Sequence, residues 1–279
     1  MSKKFLVKMA KVFLAISFIS FFVACKSTDS SHTNALEKIK EKGVLRIGVF
    51  SDKPPFGFIN KENQFDGFDI YIAKRFAKDL LGDEAKVEFI AVDASARVES
   101  LKTNKVDILM ANFTKTPERE EVVDFAKPYM KVALGVVSLN GEIKDISQLK
   151  GKVLIVDRGT TADFYFTKNH PEIKLLKFEQ NTEAFLAMKS KRGIALAHDN
   201  TLLFAWAKQN PSFKVGITTL GNEEVIAPAV KKGNTELLDW INQEIDTLTR
   251  EGFMKKAYEE TLMPFFGNAI KPESVIFSK

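Results

Sequence analysis

The chain is poor in the residues that build covalent staples and metal sites. Of 279 residues only one is cysteine, Cys25, so an intramolecular disulfide is excluded. The three histidines, His32, His170 and His198, lie far apart in sequence, which excludes a local zinc-type ligand cluster. No low-complexity tract or short repeat is present, arguing against a solenoid or coiled coil. The apolar run Val12 to Val23 is too short to cross a hydrocarbon core of about 30 Å, which takes roughly 20 helical residues. The body also lacks an excess of either charge. Formal net charge is +5, but Lys3, Lys4, Lys8 and Lys11 fall in the first 24 residues, which hold no acid; the remaining 37 bases face 36 acids. A basic nucleic-acid face is therefore not indicated.

What is present begins with an export signal. Met1 to Lys11 is basic, Val12 to Val23 is apolar, and Ala24-Cys25 closes the segment. The small residue before the lone cysteine resembles the bacterial lipobox, with Phe22 where leucine is commonest. The resemblance implies a signal peptide over 1–24 and an acylated Cys25 holding the chain to a lipid bilayer, followed by a polar tether over 25–34. The alternative is an uncleaved anchor helix with an incidental cysteine.

In the body, Ala35 to Lys42 reads as a helix ended by Gly43, and Val44 to Val49 as a strand. Gly67-Phe68-Asp69 precedes a helix with Ile70, Ala73, Phe76, Ala77, Leu80 and Leu81 at helical spacing, Asp69 being placed as its N-cap. Strand Val87–Val92, helix Ser95–Thr103 and strand Val106–Ala111 continue a β-α-β rhythm. A second set runs through strands at Val132–Val137, Val153–Val156, Leu175–Phe178, Ile194–Ala197 and Val215–Thr218, with helices from about Ala162, over Thr182–Lys191 and over Asn200–Lys208. Such alternation predicts α/β sheets covered by helices on both faces. The rest, Val225–Val230 and helices near Thr235–Arg250 and Gly252–Thr261, is too small for a third domain and is expected to return to the first. The expected division is 35–132 for lobe 1, 133–224 for lobe 2 and 225–279 for the return segment, with a cleft between two Rossmann-like lobes joined by two crossing strands.

Three elements carry chemistry. In Asn112-Phe-Thr-Lys-Thr-Pro-Glu-Arg119, Thr116 is a good N-cap and Pro117 suits the first helical position. Arg119 opposes the helix dipole there, which makes sense if a carboxylate joins it together with the Thr114 hydroxyl. The alternative is a surface arginine paired with Glu120 or Asp124. Gly159-Thr160-Thr161, at a strand-to-helix junction, can turn backbone N–H groups toward an anion but lacks the lysine and length of a nucleotide-binding loop. Asp199, after His198 at a strand's carboxyl end, could meet an ammonium group or simply cap the Asn200 helix.

Taken in order, these pieces resemble a family. Lys42-Gly-Val-Leu-Arg-Ile-Gly48, Pro54-Pro-Phe-Gly-Phe58, Gly67-Phe-Asp69, Lys105-Val-Asp-Ile108, Asn112 to Arg119, Asp124-Phe-Ala-Lys-Pro-Tyr129, Gly159-Thr-Thr161 and His198-Asp199 are similar to the polar amino-acid branch of the type II periplasmic substrate-binding proteins of ABC transporters. Within it, Asp52-Lys-Pro-Pro-Phe-Gly57, Asn112-Phe-Thr114 and His198 to Trp206 are most similar to cysteine-binding lipoprotein members. The resemblance implies an extracytoplasmic protein that closes two lobes around a free amino acid, cysteine or another small polar one, and delivers it to a permease in the cytoplasmic membrane. It implies no cofactor, no metal and no catalysis. Arg119 would clamp the α-carboxylate, Thr114, Asn112 and Thr161 would add hydrogen bonds beside Thr160, and Asp199 would pair with the α-ammonium. Lys53, Phe56, Ala94, Arg97 and His198 would form the side-chain pocket. Lys53 stands where relatives with larger ligands often carry an aromatic, and Ala94 where glutamine binders do. Acidic amino acids or glutamine as ligand, a dehydratase or lyase using His198 and Asp199, and a surface adhesin are the alternatives.

Overall fold

The computed structural model describes residues 35–278. The readings of a signal, a lipobox and a tether fall on residues 1–34, outside the described residues.

Helix α1 (Ala35–Lys42) ends at Gly43, at φ 66°. Strand β1 (Leu45–Val49) has nearly every residue buried, as a strand covered on both faces must be. A small antiparallel sheet follows, β2 (Asp52–Lys53), β3 (Gly57–Ile59) and β4 (Phe65–Asp66), whose strands are too short to leave a period in the sequence. Helix α2 (Phe68–Leu81) buries Phe68, Ile70, Ile72, Ala73, Phe76 and Ala77. Its N-cap is Gly67, not Asp69: at φ 115° a Cβ on Gly67 would lie 2.5 Å from the Phe56 carbonyl oxygen. Asp69 is thereby moved into the first turn with its side chain buried. Strand β5 (Val87–Ala91), helix α3 (Arg97–Lys102) and strand β6 (Ile108–Leu109) come next. The last is much shorter than Val106–Ala111, because the chain turns at Asn112, at φ 43°, to meet the site. Helix α4 (Pro117–Glu120) is a single turn, and β7 (Val123–Phe125) follows it.

The second sheet uses β8 (Met130–Leu139), β9 (Val153–Asp157), β10 (Lys174–Phe178), β11 (Ala195–Asp199) and β12 (Phe213–Ile226). Between them lie α5 (Thr161–Asn169), α6 (Asn181–Lys189) and α7 (Asn200–Gln209). Strand β12 is far longer than Val215–Thr218; irregular pairing with β8 at three points bends it while the ladder continues to Ile226 opposite Met130. The chain then enters β13 (Ala229–Lys231). Helix α8 (Thr235–Arg250) buries Leu237, Ile241, Ile245 and Leu248 along one stripe. Helices α9 (Phe253–Ala257), α10 (Met263–Phe266) and α11 (Pro272–Val275) complete the chain.

Two five-stranded sheets result, in the orders β5-β1-β6-β13-β7 and β10-β9-β11-β8-β12. β1 runs parallel to β5 and β6, and β9 parallel to β10 and β11. β13 is antiparallel to β6 and β7, so the late segment is stitched into the first sheet. Two stretches of chain cross side by side between the sheets: Ala126 N–H donates to the Pro228 carbonyl (2.9 Å) and Tyr129 N–H to that of Ile226 (3.0 Å). Among the described residues no helix is long and apolar enough to cross a membrane.

Candidate functional site

The site gathers where buried strands end. In parallel α/β sheets the carboxyl ends of strands leave side chains and helix N-termini facing one crevice. β6 leads into Asn112 and Thr114, β9 ends on Asp157 before Gly159, and β11 ends on His198-Asp199.

Arg119 is held by local chemistry. Thr116 caps α4 by accepting from Arg119 N–H (3.3 Å), with Pro117 in the first turn. The guanidinium, in a residue only 7% exposed, donates to the carbonyls of Thr114 (2.6 Å) and Gly159 (3.1 Å) and lies 4.6 Å from the Phe113 ring centre. Glu120 and Asp124 pair instead with Lys115 and Lys232, so Arg119 is not the surface arginine of the alternative reading. Burial pulls Arg119 down to about 10, against the attraction of Asp199 and Glu224. Arg97 is buried beside it, 4.4 Å from the same Phe113 ring, donating to the Ala111 carbonyl (3.0 Å) with its Nε unpartnered. Burial and then the repulsion of Arg119 hold it well below its usual value.

Asp199 does not cap its helix with its side chain. Its carboxylate reaches across to the first half of the chain and accepts from Lys53 Nζ at 2.8 Å, both side chains being buried. Burial works to raise Asp199, but the Lys53 ammonium and His198 outweigh it and hold the carboxyl far below the usual range. Burial lowers Lys53, with Asp199 pulling the other way. Lys53 also sits 5.2 Å from the Phe50 ring and 5.9 Å from that of Phe56. His198 Nδ1 accepts the Asp199 backbone N–H (2.7 Å), which places the ring proton of the neutral form on Nε2. That nitrogen is 3.4 Å from Asp157 without a hydrogen bond, and burial lowers the imidazole further from its charged form.

The anion-ready turn is built around Gly159, at φ 76°, where a Cβ would stand 2.7 Å from Ser95 Cα. Thr160 is the cap of α5: its hydroxyl accepts from Asp163 N–H (3.2 Å) and donates to the Asp157 carbonyl (2.6 Å). The Thr161 hydroxyl, by contrast, is buried without a partner. Asn112 N–H donates to Asp69 (2.7 Å), whose other oxygen accepts from the Tyr129 hydroxyl (2.7 Å); the Asn112 side-chain oxygen is unpartnered. Phe56 and Ala94 are buried nearby in the chain's first half, and Thr114 with them.

Sequence reasoning overlooked Asp157 and Glu224 and read Asp69 as a cap. Asp157 is 2% exposed with neither carboxylate oxygen paired, and burial followed by the nearness of Asp52 raises it to about 8. Its signal was available: a carboxylate closing an apolar strand, as Asp199 does. Burial lifts Asp69 to about 7, and burial with the neighbouring Asp199 lifts Glu224 to about 7. The two halves touch around this cluster, through Arg119 and Gly159, Lys53 and Asp199, Ser95 and Glu179 (2.8 Å), and Asp52 with Asn181 (2.9 Å). Buried, unpaired donors and acceptors are rare in proteins; Arg97, Asn112, Asp157, Thr161 and His198 each carry at least one here.

Comparison with known proteins is in keeping with this geometry. A family model described as bacterial extracellular solute-binding proteins, family 3, matches residues 45–263. The crystal structure of the solute receptor for L-cysteine of Neisseria gonorrhoeae is 59% identical, with a TM-score of 0.86, covering 87% of this chain and 99% of that one. The cysteine-binding protein from Campylobacter jejuni is 56% identical, with a TM-score of 0.87, over 88% of this chain and 100% of its own. The Bacillus subtilis ABC transporter glutamine-binding protein is 33% identical over 267 residues, which is 90% of this chain and 97% of the relative.

Proposed function

Because this chain belongs to the bacterial extracellular solute-binding proteins, family 3, we propose that it captures free L-cysteine between its two lobes for an ABC uptake system. Its architecture is the two-lobed type II periplasmic-binding-protein fold. The observation that carries the reading is Arg119, a buried guanidinium with carbonyl partners and no salt bridge among the described residues. An amino acid is a zwitterion and needs one fixed cation and one fixed anion. Arg119 supplies the first from lobe 1, and Asp199, kept ionised, supplies the second from lobe 2. Thr114, Asn112 and Thr161 surround the carboxylate end. The incoming α-ammonium joins the Lys53 ammonium on the Asp199 carboxylate. Closing the lobes removes water and strengthens both ion pairs, and only the closed state makes all contacts, so the ligand favours it. Lobe 1 comprises 35–132 with the return segment from 225, and lobe 2 comprises 133–224.

Cys25 is proposed as the acylated anchor that keeps the protein at the outer face of a membrane. Mass spectrometry of the native protein finds a lipid-modified Cys25 at the mature N-terminus on this reading, and a Cys25→Ala variant is released into the soluble fraction. The functional test is a thermal-shift screen of the amino acids on protein stripped of ligand by unfolding and refolding. A ligand at 100 times its Kd adds about 2.7 kcal/mol, for this size roughly 5–11 °C in Tm. L-cysteine gives the largest shift and is recovered unchanged after prolonged incubation, which separates a binding protein from a lyase. A largest shift with glutamine or arginine replaces the ligand; no shift with any amino acid removes the reading.

A further inference from the structure

We propose that the site holds a second anion-binding position, at Arg97, and that cysteine is bound there as its thiolate, with the thiol proton released to solvent. The proposal rests on the reading of the site as an amino-acid pocket and goes on to the charge state of the guest. Three buried cations meet in the crevice, Lys53, Arg97 and Arg119, at 1%, 3% and 7% exposure. Lys53 has Asp199, and the ligand α-carboxylate accounts for Arg119. Arg97 has only the Ala111 carbonyl, the faces of Phe113 and Phe50, and an Nε with no partner. A buried charge without a counter-charge is strongly penalised, and a guanidinium is the group least able to shed its proton.

No acid among the described residues forms an ion pair with Arg97. Asp199 is engaged by Lys53. Asp69 is turned to the Tyr129 hydroxyl and the Asn112 N–H. Asp157 and Glu224 are raised by burial toward their neutral forms, Tyr129 likewise stays protonated, and His198 is neutral. A zwitterion brings no net charge, so the excess of buried cations over Asp199 is unchanged when it binds. An anionic substituent on the ligand β-carbon reduces it. The two guanidinium groups both lie against the Phe113 ring, at 4.4 and 4.6 Å from its centre. A free cysteine thiol titrates near 8.5 and is lowered readily beside cations. The step is therefore a small one: the S–H bond gives its proton to bulk water, the electron pair stays on sulfur, and nothing is oxidised. Aspartate carries the same chemistry as a carboxylate.

The test is calorimetric titration of the purified full-length protein at pH 7 with L-cysteine under reducing conditions, L-serine and L-aspartate, each in buffers of different ionisation enthalpy. Cysteine is expected to release close to one proton more than serine or aspartate. The ultraviolet difference spectrum of the cysteine complex, in which any contribution of Cys25 cancels, is expected to gain the absorption that thiolates show and thiols lack. Arg97→Gln, checked for folding by circular dichroism, is expected to lose that band and to weaken cysteine at least about 30-fold more than it weakens serine. If that variant does not fold, the wild-type proton count and spectrum decide alone. Cysteine binding with the proton count of serine and no thiolate band overturns the proposal and leaves the amino-acid pocket standing. Tight aspartate with no cysteine binding overturns the thiolate, and failure of all three ligands removes the pocket itself.

Discussion

At the scale of single residues, buried charge governs the site. Arg119→Ala leaves the ligand carboxylate desolvated and unpaired, so calorimetry should show a loss of about 2–5 kcal/mol in binding, roughly 30- to several-thousand-fold in Kd. Asp199→Asn should also weaken binding and, by leaving the buried Lys53 ammonium without its counter-charge, lower the melting temperature of the unliganded protein. Asp157 makes a different prediction. Its carboxyl is raised from 3.8 to about 8 in the folded chain, so the native state holds the proton more tightly than the unfolded one. This contribution is complete below about pH 4 and is lost as pH rises through 8, with a slope of up to about 1.4 kcal/mol per pH unit for one proton. Asp157→Asn removes that slope, and denaturant melts from pH 4 to 8 should be flatter for the variant, with the remaining decline owed to the other raised acids, among them Asp69, Glu224 and Glu244.

At the scale of elements, the loop from β9 to α5 sets how closely the lobes can approach. Gly159→Ala adds a Cβ 2.7 Å from Ser95 Cα and does so at a φ that alanine adopts at a cost of roughly 1–2 kcal/mol. We expect cysteine affinity to fall at least tenfold while circular dichroism stays native. The elements also show what a sequence can carry. Strands β1, β9 and β11 are legible because each is an apolar run with few interruptions, and α2 and α8 because their buried residues recur at helical spacing. The β2-β3-β4 sheet is not, its strands being two or three residues long. Nor is the far half of β12, where bulges break the alternation and Asn222, Glu223 and Gly221 read as a turn. Asp69 looked like a cap because acids favour that place; only the close approach of Gly67 to Phe56 shows why it moved inward. The Lys53–Asp199 pair, 146 residues apart, leaves no local pattern at all.

At the scale of the molecule, the two lobes meet through polar contacts around the site and through an apolar cluster that runs from one to the other. Small-angle scattering should show a smaller radius of gyration with cysteine than without it. An Asp52→Ala, Ser95→Ala double variant loses the contacts to Asn181, Thr182 and Glu179 but no proposed ligand contact. Its scattering profile without ligand should shift toward the more open form, with cysteine affinity reduced about tenfold or more. Each lost contact is expected to contribute about 0.5–1.5 kcal/mol.

Tyr129 lies where the two crossing stretches run together, its N–H bonded to Ile226 and its hydroxyl to Asp69. The same Asp69 fixes Asn112, at the start of the loop that carries Thr114. The pivot on which one half swings is thus geared to the wall that greets the guest. A jolt at either end is felt at the other, and a Phe in place of Tyr129 would leave the joint turning while its drive shaft is disconnected.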